Sequence, residues 1–179
     1  MDTDPPAPTL RYDRGTIWLH WLTALFVLLA WGMAQIIDDF PPGALRVDAR
    51  SVHIVFGLTV AVILALRVWY RSTRGRELPP ADRNIELQAL AKATHWTLYI
   101  LIGTQVTLGM IFAASRGDSI FGLFNLPGAA DRAIRQTLGS AHGFLGNCIL
   151  YIAGFHAAAA LLHHFVWRDG TLRRMLPGR

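Results

Sequence analysis

Four long uncharged runs divide the chain, at residues 16–37, 51–66, 94–115 and 137–167, and none contains Asp or Glu. A hydrocarbon core of about 30 Å needs roughly 20 residues of helix to cross it. Each run therefore predicts a membrane-crossing helix, the second reaching the required length by extending to residue 70. Polar segments with strong turn signals separate them: Asp38-Asp39 followed by Pro41-Pro42-Gly43, then Pro79-Pro80, then a turn at 125–128. Buried helices of a soluble all-α protein are the alternative reading. Four such runs fill half the chain, however, and leave little amphipathic surface to face water.

Composition agrees with a membrane solvent. Hydrophobic residues make up 53% of the 179 and charged ones only 16%, with a mean hydropathy of +0.33, against about 25% charged in soluble domains. The expectation is one all-α integral membrane domain over residues 1–179, a bundle of four transmembrane helices. The acidic, proline-rich start at 1–8 lacks a basic n-region, so the first span is expected to be retained rather than cleaved as a signal.

Charge then orients the bundle. Of 17 Lys and Arg residues, only Arg46, Arg50, Arg116, Arg132 and Arg135 fall on the side opposite the termini. The excess on the terminal side predicts that both termini are cytoplasmic. Five of the six tryptophans (Trp18, Trp21, Trp69, Trp96 and Trp167) lie at that same end, as an interfacial belt does. A pI near 10.1 thus follows from topology and calls for no nucleic-acid partner. The single cysteine, Cys148, lies inside the fourth span, and no Cys-x-x-Cys-His motif offers covalent haem attachment.

The candidate chemistry lies in histidines at membrane depth, which are costly there and point to function. The fourth span carries four of the seven: His142, His156, His163 and His164. His142 and His156, fourteen residues apart, leave nearly the same helix face about 21 Å apart along the axis. His53 shares the outer depth with His142, while His20 and His95 share the inner depth with His156. A six-coordinate haem held by a bundle needs two facing imidazoles at one depth. His53 and His142 form the only outer pair; on the inner side His156 takes either His20 or His95, and spacing does not choose. Zinc or copper would call for closer clusters with thiolate or carboxylate, which these spans do not provide. Gly57, one turn after His53, leaves room for a bulky planar ligand, and Arg67, fourteen after His53, reaches the inner level, where it could pair with a haem propionate. His163, seven after His156, continues the same stripe.

These residues resemble the prokaryotic cytochrome b561 family from about Tyr12 to the C-terminus. The likeness is carried by His20-Trp21, His53 at the start of the second span, His142 among Gly139, Gly143 and Gly146, and above all GFHAAAALLHH at 154–164, followed by Trp167 and TLRRMLP at 171–177. Within the family the chain looks most like the superoxide oxidase type. The resemblance implies two b-type haems in a bacterial inner-membrane bundle, with His20 paired to His156 and His53 to His142 as axial ligands to iron. His95 is then a non-ligand beside the inner haem. It further implies superoxide as the periplasmic electron donor, ubiquinone as acceptor, and an inner quinone site to which His163 and Trp167 correspond.

Two bis-histidine haems leave no open iron position, which fits electron transfer rather than oxygen activation. Arg50, three residues before His53, and Arg135, seven before His142, are expected to project over the outer level, steering superoxide or holding propionates. The alternative function is a haem-bearing membrane anchor that relays electrons between a soluble redox partner, a dehydrogenase or hydrogenase, and the quinone pool. A cofactor-free structural bundle is the third reading.

Overall fold

The computed structural model describes residues 11–75, 78–79, 85–128 and 130–178. The start at 1–8, Pro80 of the inner-loop breaker, and the basic residues Arg76, Arg83 and Arg179 lie outside the described residues. The fold is nearly all-helical, with four helices long and apolar enough to cross a membrane. They are α1 (Arg14–Ile36), α2 (Ala44–Thr73), α3 (Ile85–Arg116) and α4 (Arg132–Leu162).

Each helix starts before the apolar segment that announced it. α2 starts at Ala44 and α3 at Ile85, so about two turns of each project beyond the apolar run. A helix bonds its own backbone whatever the solvent, so a charged turn can extend it into the headgroup layer. Capping sets the starts of the other two. Asp13 accepts the Thr16 N–H at 2.9 Å and the Thr16 hydroxyl at 2.8 Å, and Asp131 accepts the Ile134 N–H at 2.9 Å. Gly43, with φ 117°, supplies the turn into α2 that other residues rarely adopt.

Little of this apolar surface is inside. Phe144, Tyr151 and Phe155 on α4 are 72%, 69% and 75% exposed, an arrangement water would penalise and lipid does not. The helices pack as two pairs. α1 lies closely along α2 and α3 along α4; α2 meets α3 less extensively, and the backbones of α1 and α4 hardly approach. A hydrogen bond from Trp31 Nε1 to Asn147 Oδ1, at 3.1 Å, spans the gap between α1 and α4.

The two ends of the bundle are built differently. At one end, Trp21 Nε1 donates to the Met175 carbonyl at 2.7 Å, Tyr12 N–H to the Arg174 carbonyl at 3.1 Å, and Arg174 Nη1 to the Pro79 carbonyl at 2.6 Å. Both ends of the described chain and part of the α2–α3 connection therefore share that side. At the other end the α3–α4 connection, expected only to turn, forms a two-stranded antiparallel hairpin of β1 (Ser119–Ile120) and β2 (Phe124–Asn125).

That hairpin is clamped onto α2. Ser51 is fully buried; its hydroxyl lies 2.8 Å from the Val47 carbonyl and 3.0 Å from the Ser119 carbonyl, and accepts the Phe121 N–H at 2.9 Å. Beside it the buried Asp118 carboxylate binds Arg50 Nη1 at 3.1 Å and Arg116 Nη2 at 3.3 Å. Side chains this short cannot be replaced without leaving buried polar groups unpaired.

Candidate functional site

The two helix pairs face each other with histidines across the gap, at two levels. At the hairpin end, His53 of α2 and His142 of α4 have ring centres 6.0 Å apart and planes at 88°. At the opposite end, His20 of α1 and His156 of α4 are 6.1 Å apart at 72°. Two imidazoles bound on opposite sides of one first-row metal, at about 2.0–2.1 Å per bond, have ring centres about 6 Å apart. Both pairs thus have the separation a six-coordinate haem requires.

The tautomer at His53 also fits. Its Nδ1 lies 2.8 Å from the Ala30 carbonyl, and a carbonyl only accepts, so Nδ1 carries the proton and Nε2 keeps its lone pair for a metal. An outer hydrogen bond of this kind orients most metal-binding histidines. The helix surface near these histidines is open at three glycines: a side chain at Gly57, Gly143 or Gly154 would meet nothing within 4 Å.

A third imidazole joins the inner pair. His95 of α3 lies with its ring centre 5.3 Å from that of His156, so proximity alone brings His20, His95 and His156 together. Arg67 stands within electrostatic reach of all three. Its guanidinium lies over the Tyr99 ring, 5.1 Å from the ring centre. Arg67 is therefore at the expected depth but already has a protein partner.

The outer arginines separate into two groups. Arg50 is drawn onto Asp118 together with Arg116, leaving that trio with one net positive charge. Arg135 instead lines a cleft of about 430 Å³ with Phe112, Arg116, Arg132, Gln136 and Ser140. Phe112, which lines the cleft, has its ring centre 6.3 Å from that of His142, so the cleft lies close to one of the two outer histidines. A second cleft, about 510 Å³ with apolar walls including Leu64, Val68 and Trp69, lies between α2 and α3; it presents no charged group to orient a ligand.

At the inner end the last turn of the fourth helix widens into a π-turn over His163–Trp167, a distortion common at functional sites. His163 and Trp167 stack edge to face with ring centres 4.4 Å apart. Arg168, in the left-handed region at φ 53°, reverses the chain so that the Asp169 carboxylate pairs with His163 Nδ1. Thr171 N–H donates to the same carboxylate at 2.9 Å. Partial burial pushes the Asp169 carboxyl up, but hydrogen bonds from His163 and Thr171 together hold it below its ordinary value. With Nδ1 engaged by Asp169, Nε2 is the other hydrogen-bonding atom of the His163 ring.

Asp169 and Thr171 were not among the candidates read from the sequence, although Asp169-Gly170 is a turn signal directly after the last tryptophan. Gln105 was also missed. It is the lone amide in the third apolar run and lies against His142: its Nε2 is 3.0 Å from the His142 carbonyl and 3.3 Å from the ring Nε2.

Imidazoles paired at two depths on facing helices of a membrane bundle are the donor set of a membrane b-type cytochrome. The chain belongs to the prokaryotic cytochrome b561 family, whose profile matches residues 11–178. It is 30% identical over 171 residues to "Probable superoxide oxidase CybB" of Yersinia pestis, covering 93% of this chain and 96% of that protein. It is also 30% identical over 175 residues to "Cytochrome b561 homolog 1" of Escherichia coli K12 (94% and 98%), and 26% identical over 176 residues to "Cytochrome b562" of Cereibacter sphaeroides (94% and 96%). The family carries b-type haem and transfers electrons across bacterial membranes, and this chain is a multi-pass member of it.

Proposed function

We propose that this protein is a dihaem superoxide:quinone oxidoreductase of the bacterial inner membrane, with both termini cytoplasmic. The two facing imidazole pairs, 6.0 and 6.1 Å apart at two depths, carry the reading. His53 and His142 hold the outer haem, and His20 and His156 the inner one. Bound there, haem supplies one-electron transfer without an open iron position.

The chain's own residues define both ends of the path. Outside, Arg116, Arg132 and Arg135 concentrate a small anion over His142, with Arg50 contributing to the net charge of the trio around Asp118. Each superoxide gives up one electron and leaves as dioxygen. Inside, the edge of Trp167 and Nε2 of His163 receive the ubiquinone head; with its Nδ1–H held by Asp169, doubly protonated His163 passes the Nε2 proton to a quinone oxygen and takes a replacement from the cytoplasmic side. Two electrons and two protons complete the quinol. Arg67 sets the charge around the inner level and pairs with a propionate. The similarity to a protein named for superoxide oxidation supports the donor.

An optical spectrum of the purified protein is the direct test. The expected result is two low-spin b haems per chain, reduced by enzymatically generated superoxide and reoxidised by a soluble quinone analogue. A colourless protein, or haem that superoxide leaves oxidised, would overturn the reading. Exchanging both Arg132 and Arg135 for Gln is expected to slow superoxide-driven reduction on the order of tenfold at low salt and to flatten its salt dependence. Stopped-flow traces at several ionic strengths read this directly; Arg50→Gln alone should have the smaller effect, because Asp118 already offsets that charge.

A further inference from the structure

The two outer imidazoles are supported unequally. His53 has the Ala30 carbonyl on its Nδ1, whereas His142 Nδ1 is buried with no hydrogen-bond partner. On the neighbouring helix α3, Gln105 Oε1 is also buried with no partner. One of these atoms can donate and the other only accepts.

The surrounding backbone is shaped around this contact. A side chain at Gly109 would place its Cβ 2.8 Å from His142 Cε1, and one at Gly146 would come within 3.1 Å of the Gln105 amide nitrogen. Glycine at both positions lets the His142 ring and the Gln105 amide share the space between α3 and α4. The amide is already tethered, since its Nε2 donates to the His142 carbonyl at 3.0 Å.

We infer that Gln105 is the positioning residue for His142, accepting the Nδ1 proton through Oε1 so that Nε2 is presented to the outer haem iron. The inference rests on the proposed haem ligation. The amide nitrogen lies 3.3 Å from His142 Nε2, the atom that the proposed ligation would use. The role therefore requires the imidazole to turn about its Cβ–Cγ bond, which would free Nε2 of that contact and bring Nδ1 toward the amide, while the tether to the carbonyl stays in place. A buried amide in lipid is costly unless paired, which is why an otherwise apolar run tolerates it here. An acceptor on Nδ1–H makes the imidazole a stronger donor, favours ferric over ferrous iron and lowers the potential of that haem alone.

The test uses the full-length, haem-loaded protein. Gln105→Met keeps the bulk and removes the acceptor; Gln105→Glu strengthens it. Redox titration should resolve two components in the parent. In the Met variant one component moves to higher potential with an altered EPR g-maximum while the other stays in place, and haem affinity at that level falls about 10–100-fold. The Glu variant moves the same component lower. Gly146→Ala, which displaces the amide without touching its chemistry, moves it in the same direction as Met. Unmoved components in the Met variant, or both moving together, would overturn the role of Gln105 while leaving the haem reading intact. A parent protein that binds no haem would overturn both.

Discussion

Chains carrying His20→Leu are expected to keep about half of their haem, whereas His95→Leu retains all of it. Distance to His156 does not decide between them, since His95 is the nearer. Placement in the bundle favours His20. α3 and α4 are a packed pair, so a group between His95 and His156 would have to force that pair apart. His20 comes from α1, across the gap where α1 and α4 hardly approach, and its 6.1 Å separation matches two imidazoles on one metal while 5.3 Å is short. His156→Leu should lose the same haem as His20→Leu, and His53→Leu and His142→Leu the other. The pyridine haemochrome of each purified variant, normalised to protein, makes the count. A full complement in His20→Leu with half in His95→Leu would transfer the inner ligand to α3.

The second large effect is expected at the inner surface. His163→Leu should leave haem content and superoxide-driven reduction unchanged but slow reoxidation by quinone about 100-fold, the usual scale for removing a positioned acid or base. Asp169→Asn should do part of the same by loosening the ring that Asp169 orients. The pH dependence follows from the depressed carboxyl of Asp169. Its folded value lies below its unfolded one, so its contribution is complete above the unfolded pKa and is lost only as pH falls through the folded value. The His163–Asp169 pair is therefore expected to survive acidification through the ordinary carboxylate range. Stopped-flow reoxidation as a function of pH should place the acid-side fall below that range, and that fall should disappear in Asp169→Asn. An acid-side fall that persists unchanged in Asp169→Asn would reject Asp169 as the orienting group.

The spans and the depths of the histidines were legible because lipid imposes a simple rule, about one residue of apolar helix per 1.5 Å. Helical spacing likewise placed His142 and His156 on one face. What was not legible depends on contacts between distant segments. By number, the outer arginines are balanced by aspartates. In space, Asp118 absorbs Arg50 and Arg116, and Arg132 and Arg135 are left to the cleft. The hairpin at Ser119–Ile120 and Phe124–Asn125 depends on Ser51, 68 residues before Ser119. His95 shows the limit most plainly: it shares its depth with His20, and only the pairing of helices distinguishes them. Gln105 did leave a signal, as an amide placed where lipid should exclude it.

The division of the bundle into α1 with α2 and α3 with α4 also bears on how the protein is made. In the proposed arrangement each haem takes one ligand from each pair, so neither half alone can complete a site. A nascent chain with only its first two helices in the bilayer offers single imidazoles, which bind haem weakly and leave iron open to oxygen. Cofactor capture then waits for the fourth helix, and a truncated product remains colourless and redox-silent. The haems would serve as the last fasteners of assembly, closing a contact that helix packing leaves loose.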